Sequence, residues 1–288
     1  MNSVLEHLVS LLQPEEISAD VYRGGSHDIG TPQVFGGQVL GQALFAASMT
    51  IDQPRSAHSL HAYFLRRGDV QTPIDYEIDR ARDGASFSNR RVVASQQGRS
   101  ILNLTASFQK HETGIEHQLP MPEVPGPEGL KDKYDVPAGV LEQMHERLRN
   151  YIKRPRPFMV RPVQNQDFLN PQKMEPVKQV WIKANDTLPD DPLLHQALFA
   201  YVSDYELLGT ATLPHGISFT NQGIQMASLD HALWFYHSFR MDEWLLFSYD
   251  SPVSAASRGL ARGTVYTREG RLVATSAQEG LIRVRDSD

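Results

Sequence analysis

A carboxylate closes an apolar helical stripe in the second half of this chain. Leu194, Ala197, Leu198 and Tyr201 recur at the spacing of one helix face, and Asp204 extends that row. The spacing sets an acid on the core-facing side of a helix, near its C-terminus, where the macrodipole opposes negative charge. Burial and dipole both raise the pKa of such a group, the direction a general base needs. The same spacing also fits a frayed, solvated helix end, and both readings stay open. Downstream, Ser228 shares a strand face with Met226, Asp230 and Trp234 by simple alternation. Gln278 lies among the small or apolar Ala274, Ala277, Gly280 and Ile282, where a glutamine can equally satisfy a backbone group. Asp230 and His231 resemble a dyad, but strand neighbours point to opposite faces, so they read as separate structural residues.

Other chemistries are excluded by pattern. Gly24-Gly25-Ser26-His27-Asp28 fails the last position of a Gly-x-Ser-x-Gly nucleophile elbow. There is no Walker A loop, no dinucleotide fingerprint and no His-Glu-x-x-His, and the 11 histidines show no metal spacing. With no cysteine, thiolate nucleophiles, Cys-ligated metals and disulfides fall together. Neither a metal nor a cofactor is expected. A net charge of −6 argues against a nucleic-acid binder, which needs a Lys/Arg excess. No apolar run approaches the roughly 18–20 residues that span a bilayer, so no stable membrane insertion is expected. Residues 1–16 read as a short amphipathic helix (Leu5, Leu8, Leu11, Leu12) and not as a leader. The chain ends Arg285-Asp286-Ser287-Asp288, without a peroxisomal tripeptide, and the expected location is cytoplasmic.

The elements that must position these residues are duplicated. Gln-Ala-Leu-Phe-Ala occurs at 42–46 and again at 196–200; His61-Ala62 and Gly98-Arg99 find counterparts in His231-Ala232 and Gly270-Arg271. Helix positions correspond at an offset of 154 and later strand positions at 170, which puts 16 additional residues of the second copy within 206–222. Each copy starts with an apolar helix, 37–49 and then 192–205, the second with Asp190, Asp191 and Pro192 as starting signals. Strands follow over 58–67, 74–82, 87–96 and 100–109, then over 224–236, 244–249, 257–267 and 271–283. Segments 156–168 and 177–184 read as the first strands of copy two. A helix followed by a long antiparallel meander implies a curled sheet wrapped around that helix, the hot-dog arrangement. The expected fold is therefore α+β, with tandem hot-dog domains at 1–118 and 156–288. The Pro- and Gly-rich start of 119–155 marks a linker, with a polar connector helix over 138–152.

Several stretches resemble the bacterial acyl-CoA thioesterase II family (the TesB type). They are Val34-Phe35-Gly36-Gly37-Gln38-Val39, the run from His58 to Arg66, Ser228-Leu229-Asp230-His231 with Trp234-Phe235, and Gln278-Glu279-Gly280. The resemblance covers nearly the whole chain and implies a double hot-dog fold that hydrolyses fatty acyl-CoA to free acid and CoA. It places the family's catalytic Asp on Asp204, its hydroxyl residue on Ser228 and its Gln on Gln278. Many members have Thr where this chain has Ser228, so the hydroxyl persists without the methyl that restricts its rotamer. On this reading Asp204 deprotonates a water held by Gln278 and Ser228; the sequence does not by itself separate this from attack by Asp204, giving a mixed anhydride. Backbone N–H groups of Gly36, Gly37 and Gln38, at a helix N-terminus, are the candidate oxyanion donors.

At the repeat offsets Asp204 maps to Thr50, Ser228 to His58 and Gln278 to Phe108, so one active site per chain is expected, with His58 a second-tier candidate base. Two rivals stand beside this reading. A hot-dog enoyl-thioester hydratase or dehydratase would want a pocket His paired with an acid, and a non-catalytic acyl-CoA sensor would only bind. An acyl-CoA substrate and a homodimer or homotetramer are expected by analogy.

Overall fold

The computed structural model describes residues 1–30, 33–51, 54–164, 170–218, 221 and 223–284, apart from the side chain at 147. The expected C-terminal tetrapeptide and parts of the segments 156–168 and 206–222 lie outside these residues. Two central helices, α2 (Gly36–Met49) and α5 (Pro192–Ser203), sit inside a continuous antiparallel sheet. Around α2 run β1 (Glu15–Ser18), β2 (Val21–Gly24), β3 (Arg55–Phe64), β4 (Ile74–Asp83), β5 (Phe87–Gln96) and β6 (Arg99–Lys110). Around α5 run β7 (Phe158–Pro162), β8 (Val177–Ala184), β9 (Ile224–Ser228), β10 (Asp230–Phe235), β11 (Leu245–Ala255), β12 (Arg258–Thr267) and β13 (Leu272–Val284). The strand order is β1-β2-β4-β5-β6-β3-β10-β13-β12-β11-β8-β7, with β9 continuing alongside β13. Read inward from either edge, both halves have the same order, and they join where β3 pairs with β10. These are tandem hot-dog domains of α+β class.

Glycine spacing explains how closely the central helices approach. A Cβ on Gly37 would lie 2.1 Å from the carbonyl oxygen of Tyr201, and one on Gly41 would lie 2.9 Å from that of Ala197. Positions four apart on one helix therefore meet positions four apart on the other, backbone to backbone. This seam brings the N-terminus of α2 against the C-terminus of α5.

The N-terminal helix α1 (Ser3–Leu11) forms as expected, and the hairpin of β1 and β2 is an addition. The connector helix divides into α3 (Ala138–Gln143) and α4 (Glu146–Lys153). After α5, the extra residues of the second copy form the short α6 (Leu207–Thr210) and a single 3-10 turn at Leu213–His215.

The single strand expected over 224–236 is broken at Leu229. Ser228 pairs with Gly280 and Ala232 with Ala277, so the β9–β10 side carries one more residue than β13. The first half repeats the device: Ala57 pairs with Phe108 and Ser59 with Ser107, leaving His58 as the extra residue. Matching bulge to bulge and turn to turn moves the repeat alignment. Ser228 corresponds to Ala57 and not to His58, His231 to Leu60 and not to His61, and Gln278 to Ala106 and not to Phe108. His61 and His231 match in type but face opposite ways, His61 exposed and His231 buried. A one-residue slip does this to a strand.

Candidate active site

Asp204 is the C-cap residue of α5, one position past the last helical residue. Its backbone sits where the α5 dipole is unfavourable to a carboxylate, yet its side chain reaches the favourable N-terminus of α2. The Gly37 N–H donates to Asp204 Oδ2 at 3.0 Å. A Cβ on Gly36 would fall 2.7 Å from that same oxygen, so the glycine pair makes room for the acid. On the other side, Gln278 Nε2 donates to Asp204 Oδ1 at 2.7 Å and lies 3.1 Å from Ser228 Oγ. The Ser228 hydroxyl is 3.4 Å from Asp204 Oδ1. The three residues expected to act together thus converge from α5, β9 and β13.

Asp204 is raised from 3.8 to about 6 by desolvation, against the lowering effect of its bonds from Gln278, Gly37 and Ser228. It keeps part of its surface accessible, as does Ser228, whereas Gln278 is 1% exposed. Gln278 Oε1 is buried and has no hydrogen-bond partner among the described residues.

Of the expected oxyanion donors, the Gly37 N–H holds the carboxylate and the Gln38 N–H donates to Phe35 O at 3.1 Å. The Gln38 side chain is buried; it donates to Gly25 O at 3.1 Å and accepts from the His27 N–H at 3.1 Å, pinning the preceding loop. Of the three, only the Gly36 N–H lies outside these bonds. His58 belongs to the first half: its Nε2 is 2.8 Å from Ser107 Oγ, its ring stands edge-on to Phe87, and burial lowers its pKa.

The sequence reading missed His231. The bulge at Leu229 interrupts the alternation that paired Ser228 with Asp230, so His231 is the residue that joins Ser228 at Gln278. His231 Nδ1 is 3.0 Å from Gln278 Nε2, and its Nε2 is 2.9 Å from Ser203 Oγ. Asp230 turns away and accepts from the Glu279 N–H at 2.7 Å. The separation of Asp230 from His231 therefore holds, while His231 belongs to the site. The signal in the sequence was an inward histidine opposite Gln278, concealed by counting through a bulge.

Beyond Asp204, Glu206 adopts a left-handed conformation at φ 33° and makes buried ion pairs with Lys133 of the linker and Lys178 of β8. Burial opposes its ionisation, but the attraction of the two lysines outweighs that and holds its pKa low. This clamp fixes the chain immediately after the acid. Among the described residues no cluster of His, Asp and Glu could hold a metal. No helix there is long and apolar enough to cross a membrane.

An acid of raised pKa thus sits at the junction of the two hot-dog halves, hydrogen-bonded by an amide and a hydroxyl. Residues 149–281 match the family model described as acyl-CoA thioesterase, and residues 23–109 match the acyl-CoA thioesterase N-terminal domain. The chain is 40% identical to acyl-CoA thioesterase 2 of Haemophilus influenzae, over 98% of this chain and 99% of that protein. It is 37% identical to human acyl-coenzyme A thioesterase 8, over 99% of this chain and 91% of that one. Among solved structures, an acyl-CoA thioesterase II TesB2 from Mycobacterium marinum superposes with a TM-score of 0.79 at 39% identity, covering 97% of this chain and 99% of that one. A hot-dog protein from Alicyclobacillus acidocaldarius, 16% identical with a TM-score of 0.78, shares the fold over 96% of this chain and 98% of its own. This chain belongs to the acyl-CoA thioesterase family.

Proposed function

We propose that this protein hydrolyses fatty acyl-CoA to free fatty acid and CoA, with water as nucleophile and Asp204 as its general base. The observation that supports this best is the Asp204 carboxylate, raised to about 6 and held by Gln278, Gly37 and Ser228. A base of that pKa is ionised at neutral pH yet basic enough to take a proton from water as attack begins. Gln278 and Ser228 hold the water at the thioester carbonyl. The water oxygen adds to the carbonyl carbon as its proton passes to Asp204. Collapse of the tetrahedral oxyanion then expels CoA as thiolate, a good leaving group that needs no dedicated acid. Direct attack by Asp204 is disfavoured because both carboxylate oxygens already accept hydrogen bonds, one of them from the α2 backbone.

The test is release of free CoA from palmitoyl-CoA, followed with a thiol reagent, to which a chain without cysteine contributes no background. Activity should fall as pH drops through about 6, where Asp204 takes up a proton, and level off above it. Binding of palmitoyl-CoA without CoA release would replace this reading by that of an acyl-CoA sensor.

A further inference from the structure

We propose that His231 is a positioning residue for this reaction. Its Nδ1 lone pair fixes the Gln278 amide with the NH₂ toward Asp204. The proposal rests on the function proposed above and follows from the direction of each hydrogen bond. Gln278 has one end of its amide, Nε2, within 2.7 Å of an Asp204 oxygen and within 3.0 Å of His231 Nδ1. An ionised carboxylate only accepts, so the group facing it must donate. The second hydrogen of the same NH₂ lies between Ser228 Oγ at 3.1 Å and Nδ1 at 3.0 Å, and because an amide nitrogen does not accept, Nδ1 faces it with a lone pair. The proton of a neutral imidazole is therefore on Nε2, and Nε2 donates to Ser203 Oγ at 2.9 Å. Ser203 in turn gives its single proton to Ala200 O at 3.0 Å, so the chain of donors ends on helix backbone with each polarity determined.

The opposite amide orientation would set Oε1 against both the carboxylate and the Nδ1 lone pair. With the NH₂ committed, Oε1 is left buried without a hydrogen-bond partner among the described residues.

His231 suits the task because it stays neutral. Desolvation lowers it from 6.5 to about 3, so it does not become a double donor in the range where Asp204 titrates. The groups facing Asp204 are Gly37 from α2, Tyr201 on its own helix, Ser228 from β9 and Gln278 from β13, with His231 of β10 behind Gln278. Tyr201 is raised to about 12, mainly by burial, and stays neutral as well. Control of the amide therefore appears in the titration of Asp204. Without His231 the amide rotates, Oε1 faces the carboxylate part of the time, and the acid holds its proton to higher pH.

The experiment compares His231→Phe and His231→Asn in the full chain, with kcat and KM for palmitoyl-CoA measured between pH 5 and 9 and folding checked by thermal melting. His231→Phe should lower kcat by about 10–10²-fold with KM little changed, and move the acid limb above its wild-type position. Asn places Oδ1 close to the former Nδ1 position, so His231→Asn should recover most of kcat and return the limb. If His231→Phe does not fold, Ser203→Ala removes the acceptor that sets the tautomer and should move the limb the same way by less. Unchanged kcat in His231→Phe overturns the proposal. So does equal impairment of the Phe and Asn variants with the limb in place, which is what a packing role alone would give. Full activity in Asp204→Asn would instead remove the base, a separate failure read on a different variant.

Discussion

At the end of each central helix the two halves place a different C-cap residue, Thr50 after α2 and Asp204 after α5. The surroundings differ in the same sense. Opposite Ala106 on β5 stands Arg90, 1% exposed, whose Nε donates to Thr50 Oγ1 at 2.8 Å and whose Nη2 donates to Thr50 O at 3.0 Å. Opposite Gln278 on β12 stands Ala261. Where the second half has an acid, a hydroxyl, a histidine and a glutamine, the first half has Thr50, Ala57, Leu60 and Ala106. The space this opens is filled by a guanidinium paired with Asp83 at 2.9 Å. Duplication supplied two equivalent positions; one carries a carboxylate, and the other is closed by an arginine that satisfies the helix end. The difference teaches that the hot-dog frame requires only a filled, hydrogen-bonded helix terminus, and that catalysis is an option placed on it.

The largest expected effect comes from removing the acid. Asp204→Asn keeps the shape and loses the base, so kcat should fall by about 10²–10⁴ with no residual half. Survival of half the activity would mean the first half also turns over. A non-hydrolysable acyl-CoA analogue should likewise saturate at one per chain. The same variant has a stability signature. Because the folded pKa is raised from 3.8 to about 6, the stability tied to this group is present below 3.8 and lost as pH rises through about 6. Asp204→Asn should therefore melt higher than wild type at pH 8, by on the order of 1–3 kcal/mol, and match it near pH 3.

How far this was legible in the sequence differs by link. The duplicated order of helix and strands, and the stripe ending at Asp204, were readable because periodicity reports burial directly. Asp204, Ser228 and Gln278 were named from the sequence, with resemblance deciding what spacing had left open, and the structure brings the three side chains together. The bulges were not readable. An extra residue at Leu229 or His58 has no compositional mark, so alternation counted through it gave Ser228 the wrong face-mate and made His58 and Phe108 the wrong counterparts. Arg90 was equally hidden, since a charged residue in an alternating strand reads as solvent-facing until the fold buries it.

The arginine tests the comparison from the other side. Arg90→Ala copies Ala261 into the first half and leaves Thr50 O and Oγ1 without their donor. A loss of about 2–3 kcal/mol in folding stability is expected, below the cost of a fully buried pair because Asp83 is 49% exposed and can rehydrate. The kcat of the folded protein should not move, because Asp204 draws its partners from elsewhere. A drop in kcat at full folding would show that the two helix ends are coupled, and would break the division into one working and one closed site.

The smallest effect belongs to Ser228, the residue whose first-half counterpart is Ala57. Its hydroxyl is the farthest of the three donors from Asp204, at 3.4 Å, against 2.7 Å from Gln278 and 3.0 Å from Gly37. Bonds weaken with that lengthening, so the carboxylate depends mainly on the other two. Ser228→Ala should then lower kcat by about 10-fold or less, while leaving the melting temperature nearly unchanged at a partly exposed position. Ser228→Thr should equal or exceed wild type, because a β-branched side chain restricts χ1 and holds the hydroxyl in fewer orientations. The pair of variants separates two roles. If the hydroxyl only fills space, Ala and Thr fall on either side of wild type by similar small amounts, and the acid limb stays near 6. If it orients the water, Ala alone is impaired and Thr is not. An Ala variant as inactive as Asp204→Asn would make Ser228 an equal partner of the base, which a hydroxyl at 3.4 Å does not support.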